Sequence, residues 1–187
     1  MSEDQRVARN TSEPPKDGPA GADRWAGYLD WVRSDLATKV LSLSYADQRA
    51  SRLPSGWTPL ELLSHVLHME QRWLVWGFLG EPVEEPWGDW NTDEPWRSDD
   101  SDETIPNARW VVADHVTAES LALQLEAVGA RTRGTLHDFP LDATAVVGGR
   151  FDDDPPMLEW ICFHVLAEYA RHAGHLDIVA ELGGLAD

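Results

Sequence analysis

The sequence predicts an all-α protein, a four-helix bundle with one long crossover connection. Three observations lead there. Apolar residues recur at intervals of three and four in four separate stretches of about 20 residues. No series of alternating strand segments accompanies them. The connection between the second and third stretches is long, as in bundles whose chain crosses from one end to the other.

The first stretch carries Trp25, Tyr28, Leu29, Val32, Leu36, Val40 and Leu43 on one face, so a helix is expected from Asp23 to about Ser44. The second follows a Pro-Ser-Gly turn. Thr58 is placed to cap it and Pro59 takes the first helical position, where a missing N–H costs nothing. It is expected to run to about Leu79, where Gly80 and Pro82 stop it. Next comes an acidic, Pro-rich connection through His115 that holds four of the ten tryptophans. So many indoles are out of place in a merely flexible loop, so this segment is expected to pack over something. Thr117 is a cap for the third helix, which ends before Pro140. After a second connection, with a short extended piece around Thr144 to Val147, the last helix begins near Pro156 or Met157 and ends at about Leu182 before Gly183. Residues 1–22 have almost nothing apolar to bury and read as a disordered tail, leaving residues 23–187 as a single domain.

Composition narrows the function. With 42% hydrophobic residues the chain is globular. It has 33 acidic and 15 basic residues, a formal net charge of -18. That balance repels phosphate backbones and argues against nucleic-acid partners and anionic membrane surfaces. No apolar run is long enough to span a bilayer, and the N-terminus has no signal-peptide core, so a cytoplasmic protein is expected. One cysteine, Cys162, allows no intramolecular disulfide and agrees with a reducing compartment.

The chemistry-bearing residues concentrate on two helices. Ile161, Val165, Glu168, His172, Leu176 and Val179 form one stripe of the last helix, an apolar seam interrupted by a glutamate and a histidine. Four residues apart, Glu168 and His172 are neighbours on the helix surface and can converge on one ion. On the second helix Leu62, His65 and Met69 share a stripe in the same way. A buried carboxylate is costly unless it is paired or holds a metal. Taken singly, each histidine reads as a hydrogen-bonded core residue. Together, His65 from one helix and Glu168 with His172 from another make a three-ligand divalent-metal site with an open position. Spacing alone leaves His68, His164 and His175 competing for the same role.

The blocks "PSGWTPLELLSHVLHMEQRWLVWGFLGE" and "WICFHVLAEYARHAGHLDIVAELGG" resemble the DinB-like superfamily, in particular its actinobacterial branch. In that branch a Pro-Ser-Gly-Trp-Thr run is followed by a His, then by Glu and Trp five and eight residues beyond it. Pro54 to Thr58, His65, Glu70 and Trp73 match here. The branch's last helix carries a Glu, an Arg-His pair and a Gly-His pair, matched by Glu168, Arg171, His172, Gly174 and His175. The likeness covers nearly everything after residue 23. It implies a four-helix bundle with a long crossover, and a metal triad of His65, Glu168 and His172, which leaves His68, His164 and His175 outside the ligand set.

The glutamate variant of the triad resembles that of mycothiol-dependent maleylpyruvate isomerases, and related members transfer thiols such as mycothiol or bacillithiol onto electrophiles. The resemblance therefore implies a divalent-metal enzyme, with zinc expected, that activates a mycothiol-like cosubstrate for S-transfer or thiol-assisted isomerisation of a small electrophile. The additional C-terminal domain of those isomerases has no counterpart, because the chain ends soon after the fourth helix, so their particular reaction is not carried over. Glu70 and His175 are candidates for orienting the histidines, with a solvated helix face as the alternative. Trp73 and Arg171 are candidates for substrate contact, and Cys162 is expected to pack rather than react. Related bundles often pair, so a homodimer is possible. Two other readings use the same residues: a hydrolase working through metal-activated water, and a non-catalytic stress or resistance protein that binds a metal or small molecule.

Overall fold

The structure, a computed structural model, describes residues 12–95 and 108–183. Among them the chain is all-helical: α1 (Ala22–Ser42), the short α2 (Tyr45–Gln48), α3 (Pro59–Glu70) continuing as a π-helical segment (Gln71–Phe78), α4 (Ala118–Asp138) and α5 (Leu158–Leu182). Three isolated bridges are the only β pairings among the described residues, two of them, Thr144 with Met157 and Val147 with Phe151, where a short extended piece is expected.

The helix starts follow their caps. Thr58 and Glu61 form a reciprocal capping box with Pro59 in the first turn, and Thr117 forms another with Ser120. Two details differ from expectation. The first helix stops at Ser42, because Ser44 turns out to cap α2 by accepting from the Asp47 N–H. The second helix does not run on as a uniform α-helix to Leu79 but widens into π-helical turns after Glu70. Backbone carbonyls there are taken up from outside: the Val146 N–H donates to Phe78 O (3.0 Å) and the Arg150 N–H to Trp76 O (3.3 Å). Gly149 makes that close docking possible, since a Cβ there would sit 2.4 Å from Trp76 O.

The tail expectation covers residues 1–22, of which 1–11 lie outside the described residues. Residues 12–21 fold back along α1: Arg24 donates to Gly18 O and Pro19 O, and Tyr28 donates to Glu13.

The four long helices enclose one core, with Leu29 and Leu36 of α1, Leu62 and Leu63 of α3, Leu125 of α4, and Ile161 and Leu176 of α5 all buried. α1 packs chiefly against α4 and α5, while α3 packs against α4 and α5 from the other side. Each fully buried leucine contributes about 1.5–3 kcal/mol. This core fixes the distance between α3 and α5, and hence between the residues those helices turn inward. No helix among the described residues is long and apolar enough to cross a membrane.

Candidate metal centre

His65, Glu168 and His172 come together. One ligand atom from each lies within 4.8 Å of the other two, although α3 and α5 are far apart in sequence. The imidazole centroids of His65 and His172 are 4.9 Å apart. His65 and His172 are buried, while the Glu168 side chain retains 18% exposure and is therefore at the edge of the core rather than in it. The apolar seam of α5 turns gradually, and Tyr169, not Glu168, takes the fully buried position at that level.

The two histidines are held in different ways. His65 Nδ1 pairs with Asp89 Oδ2 at 2.8 Å, which directs Nε2 toward the other two ligands. Asp89 is itself fully buried and bridged to Arg72, which also donates to Pro86 O. His172 has no hydrogen-bond partner on either ring nitrogen, although both are buried. Its Nε2 lies 3.4 Å from Glu168 Oε2, close but without hydrogen-bond alignment. Two buried, unpartnered imidazole nitrogens beside a carboxylate are costly in a protein interior. Of the two, Nε2 faces Glu168 Oε2, and its lone pair, with no proton between it and the carboxylate, is what a cation site requires.

The electrostatics agree. Burial, followed by the neighbouring His65, His175 and Arg171, pushes His172 down to about 3. Burial also lowers His65, against the opposing pull of Asp89. Both rings are thus neutral at pH 7, the form that ligates metals. The donor set of two imidazoles and one carboxylate suits zinc and similar divalent ions.

The Trp-rich crossover covers this cluster. Trp110 stacks on His65 with centroids 4.1 Å apart and planes 21° apart, and Trp90 meets the same ring edge-on. Trp90 and Trp110 are joined by an antiparallel bridge that closes the two described arms of the crossover on each other. Trp96 lies outside the described residues. A pocket of about 250 Å³ opens beside His65 and Glu168, walled by Trp73, Trp87, Trp90 and Arg150.

The structure separates the remaining candidates. Trp73 lines the pocket, 4.1 Å from the half-buried His164 ring. Arg171 is exposed and donates to Glu168 Oε1 at 2.8 Å, which steadies the carboxylate from outside. His175 is exposed on the rim, with its ring 5.9 Å from His172 and 6.3 Å from Trp57. Glu70 neither orients the histidines nor faces solvent. It is fully buried and accepts from Arg33, Thr132 and Tyr169. Five residues beyond His65, it points about 140° round the helix, away from the site. His68 Nδ1 is 2.8 Å from Ser64 O, so that ring is engaged with its own helix. Cys162 is buried, and burial above all pushes its thiol up to about 12, so it supplies no thiolate at neutral pH.

Asp89, which sequence reasoning missed, holds the histidine that Glu70 does not. Its only signal is its position between two tryptophans in "WGDW". Asp89→Asn should weaken metal binding about 10–100-fold, the usual effect of losing a histidine's carboxylate partner. A competition titration with a chromophoric chelator measures it.

A family model described as mycothiol-S-transferase matches residues 25–183, which takes in all of α3, α4 and α5, all but the first three residues of α1, and every residue of the cluster. The chain belongs to that family. No curated protein and no solved structure gives a significant match. Membership in the mycothiol-S-transferase family agrees with the resemblance of the two helical blocks, and with a site that has room for a small molecule.

Proposed function

We propose that the protein is a divalent-metal-dependent thiol S-transferase that joins mycothiol, or a closely similar thiol, to a small electrophile. The observation that carries this reading is the convergence of His65, Glu168 and His172 beside a tryptophan-walled pocket, in a chain of the mycothiol-S-transferase family. The same three residues would hold the cation, for which zinc is the expected choice given their chemistry. When bound, such a cation lowers the pKa of a thiol and makes the thiolate available at neutral pH.

The protein's own residues do the rest. Asp89 fixes the His65 tautomer and Arg171 steadies Glu168. Trp90 and Trp110 keep water off the histidine rings, and Trp73 with Trp87 forms an apolar wall for the electrophile. The inert Cys162 leaves the nucleophile to the small thiol. A cytoplasmic location fits a thiol cosubstrate and the lone cysteine. The excess of 33 acidic over 15 basic residues favours a small-molecule partner over nucleic acid. A homodimer is compatible with the exposed apolar side chains Trp160 and Phe163 on α5.

The test is product analysis of zinc-loaded protein with mycothiol and monochlorobimane. The expected product is the thiol adduct, formed only when both thiol and metal are present. Equal loss of the electrophile without thiol would make the protein a hydrolase. Tight binding with no chemical change would make it a binding protein.

A further inference from the structure

Arg150 brings a positive charge to the pocket wall. It lines the same cavity as His65 and Glu168. Its guanidinium lies over the Trp73 ring at 4.2 Å and near the Trp87 ring at 5.7 Å. Among the described residues no carboxylate pairs with it, and its Nη1 is buried without a hydrogen-bond partner. Burial, followed by the neighbouring Arg72, pulls it down to about 10, and no acidic group among the described residues acts in the opposite direction.

The neighbouring arginine is a useful contrast. Arg72 sits over the same Trp87 ring at 4.4 Å but is neutralised by Asp89, with Nη2 3.1 Å from Oδ2. One cation of the pair is therefore spoken for and the other is not. Arg150 is also held in place: its backbone N–H bonds to Trp76 O, and Gly149 lets the loop press against the π-helical segment. A partly buried guanidinium, fixed in position and flanked by indole faces, retains its fork of donors for a ligand.

We infer that Arg150 is a substrate-binding residue that receives an anionic oxygen group, carboxylate or phosphate, on the electrophilic cosubstrate. The group belongs to the electrophile because mycothiol, an acylated cysteine amide of a glycosyl-inositol, has no ionised group besides its thiol. Trp73 and Trp87 beside the guanidinium suit a flat or unsaturated body attached to that anion. The substrate class is thus a small, unsaturated or aromatic electrophilic acid. This assignment of substrate rests on the S-transferase reading; the anion site itself does not.

The experiment uses the full-length zinc-loaded protein and reads binding by tryptophan quenching or calorimetry. The probes are benzoate, phenyl phosphate and neutral benzamide. Benzoate or phenyl phosphate should bind at least tenfold more tightly than benzamide, and the tighter of the two identifies the anion. Arg150→Met at equal metal content should weaken the anion at least tenfold and leave benzamide unchanged, with Arg150→Lys intermediate. Equal binding of all three probes, no anion binding up to millimolar concentration, or anion binding unaffected by Arg150→Met would each overturn the inference.

A kinetic arm uses 4-(bromomethyl)benzoate and its methyl ester. In each, a C–S bond forms as bromide leaves and the thiol proton passes to solvent. Arg150→Met should raise KM for the acid about tenfold and leave the ester unchanged. Arg150-dependent binding without thiol turnover would defeat the S-transferase reading and leave the anion site standing. Thiol transfer to both substrates, with the KM for the acid unchanged by Arg150→Met, would do the reverse.

Discussion

Replacing His172 by alanine is expected to remove thiol transfer while leaving the bundle folded. The His172 ring is buried, but neither of its nitrogens is hydrogen-bonded to the protein, so truncation breaks no internal hydrogen bond. It removes two unsatisfied buried polar atoms, a gain that offsets part of the packing lost against Trp110 and His65. The metal-free melting temperature should therefore change by only a few degrees. Metal response should change completely. An ion at a hundred times its dissociation constant stabilises a folded protein by about 2.7 kcal/mol. In a chain of this size that raises the melting temperature by roughly 5–10 °C, and the variant should lose the whole increment. Turnover should fall at least about 30-fold, because a free thiol near its ordinary pKa is only about 3% ionised at pH 7. Lost positioning of the thiol lowers it further. Melting curves with and without zinc, together with adduct formation, check both parts.

Replacing Glu70 by glutamine should do the opposite, lowering stability strongly and sparing metal binding. Glu70 of α3 receives Arg33 from α1, Thr132 from α4 and Tyr169 from α5, so all four long helices meet at one buried carboxylate. Gly129 of α4 makes the room, since a Cβ there would lie 2.7 Å from Arg33 Cζ. Neutralising one partner of such a pair strands the other charge in the core and costs about 3–5 kcal/mol. The melting temperature should drop roughly 6–20 °C. A change confined to a few degrees would show that the network contributes little.

The same carboxylate sets an acid limit. Burial by itself raises the Glu70 pKa, but the Arg33 charge and the three donors outweigh it, and the net shift is downward from the ordinary 4.5. A carboxyl depressed in the folded state contributes stability that is present in full above its unfolded pKa and is lost as pH falls through the folded one. Wild-type stability should therefore decline below about pH 4.5, and Glu70→Gln should show a flatter acid limb.

Helical spacing was enough to find the four helices, their caps and the interior stripes, because each of these is a local property of consecutive residues. It placed His65 and His172 inward and could not choose among the six candidate ligands; the resemblance made the choice, and the structure brings those three together. Glu70 shows the limit of motif reading. It belongs to the same block as His65, yet a spacing of five turns it to the opposite face, toward Arg33. Asp89 and Arg150 were not legible because both come from connections without periodicity, and their positions depend on contacts remote in sequence. The π-helical segment was hidden for the same reason, since the loop that satisfies its carbonyls lies some seventy residues away.

Two distant helices bring His65, Glu168 and His172 together, and the proposed function requires that they hold one divalent cation. Zinc titrated into metal-stripped protein, with bound metal counted by elemental analysis after removal of excess, tests it most directly. One tightly held ion per chain is expected in the wild type and in Glu168→Asp at reduced affinity, and none in His65→Ala or His172→Ala. A wild-type chain that holds no zinc, or alanine variants that still hold one ion each, would contradict it.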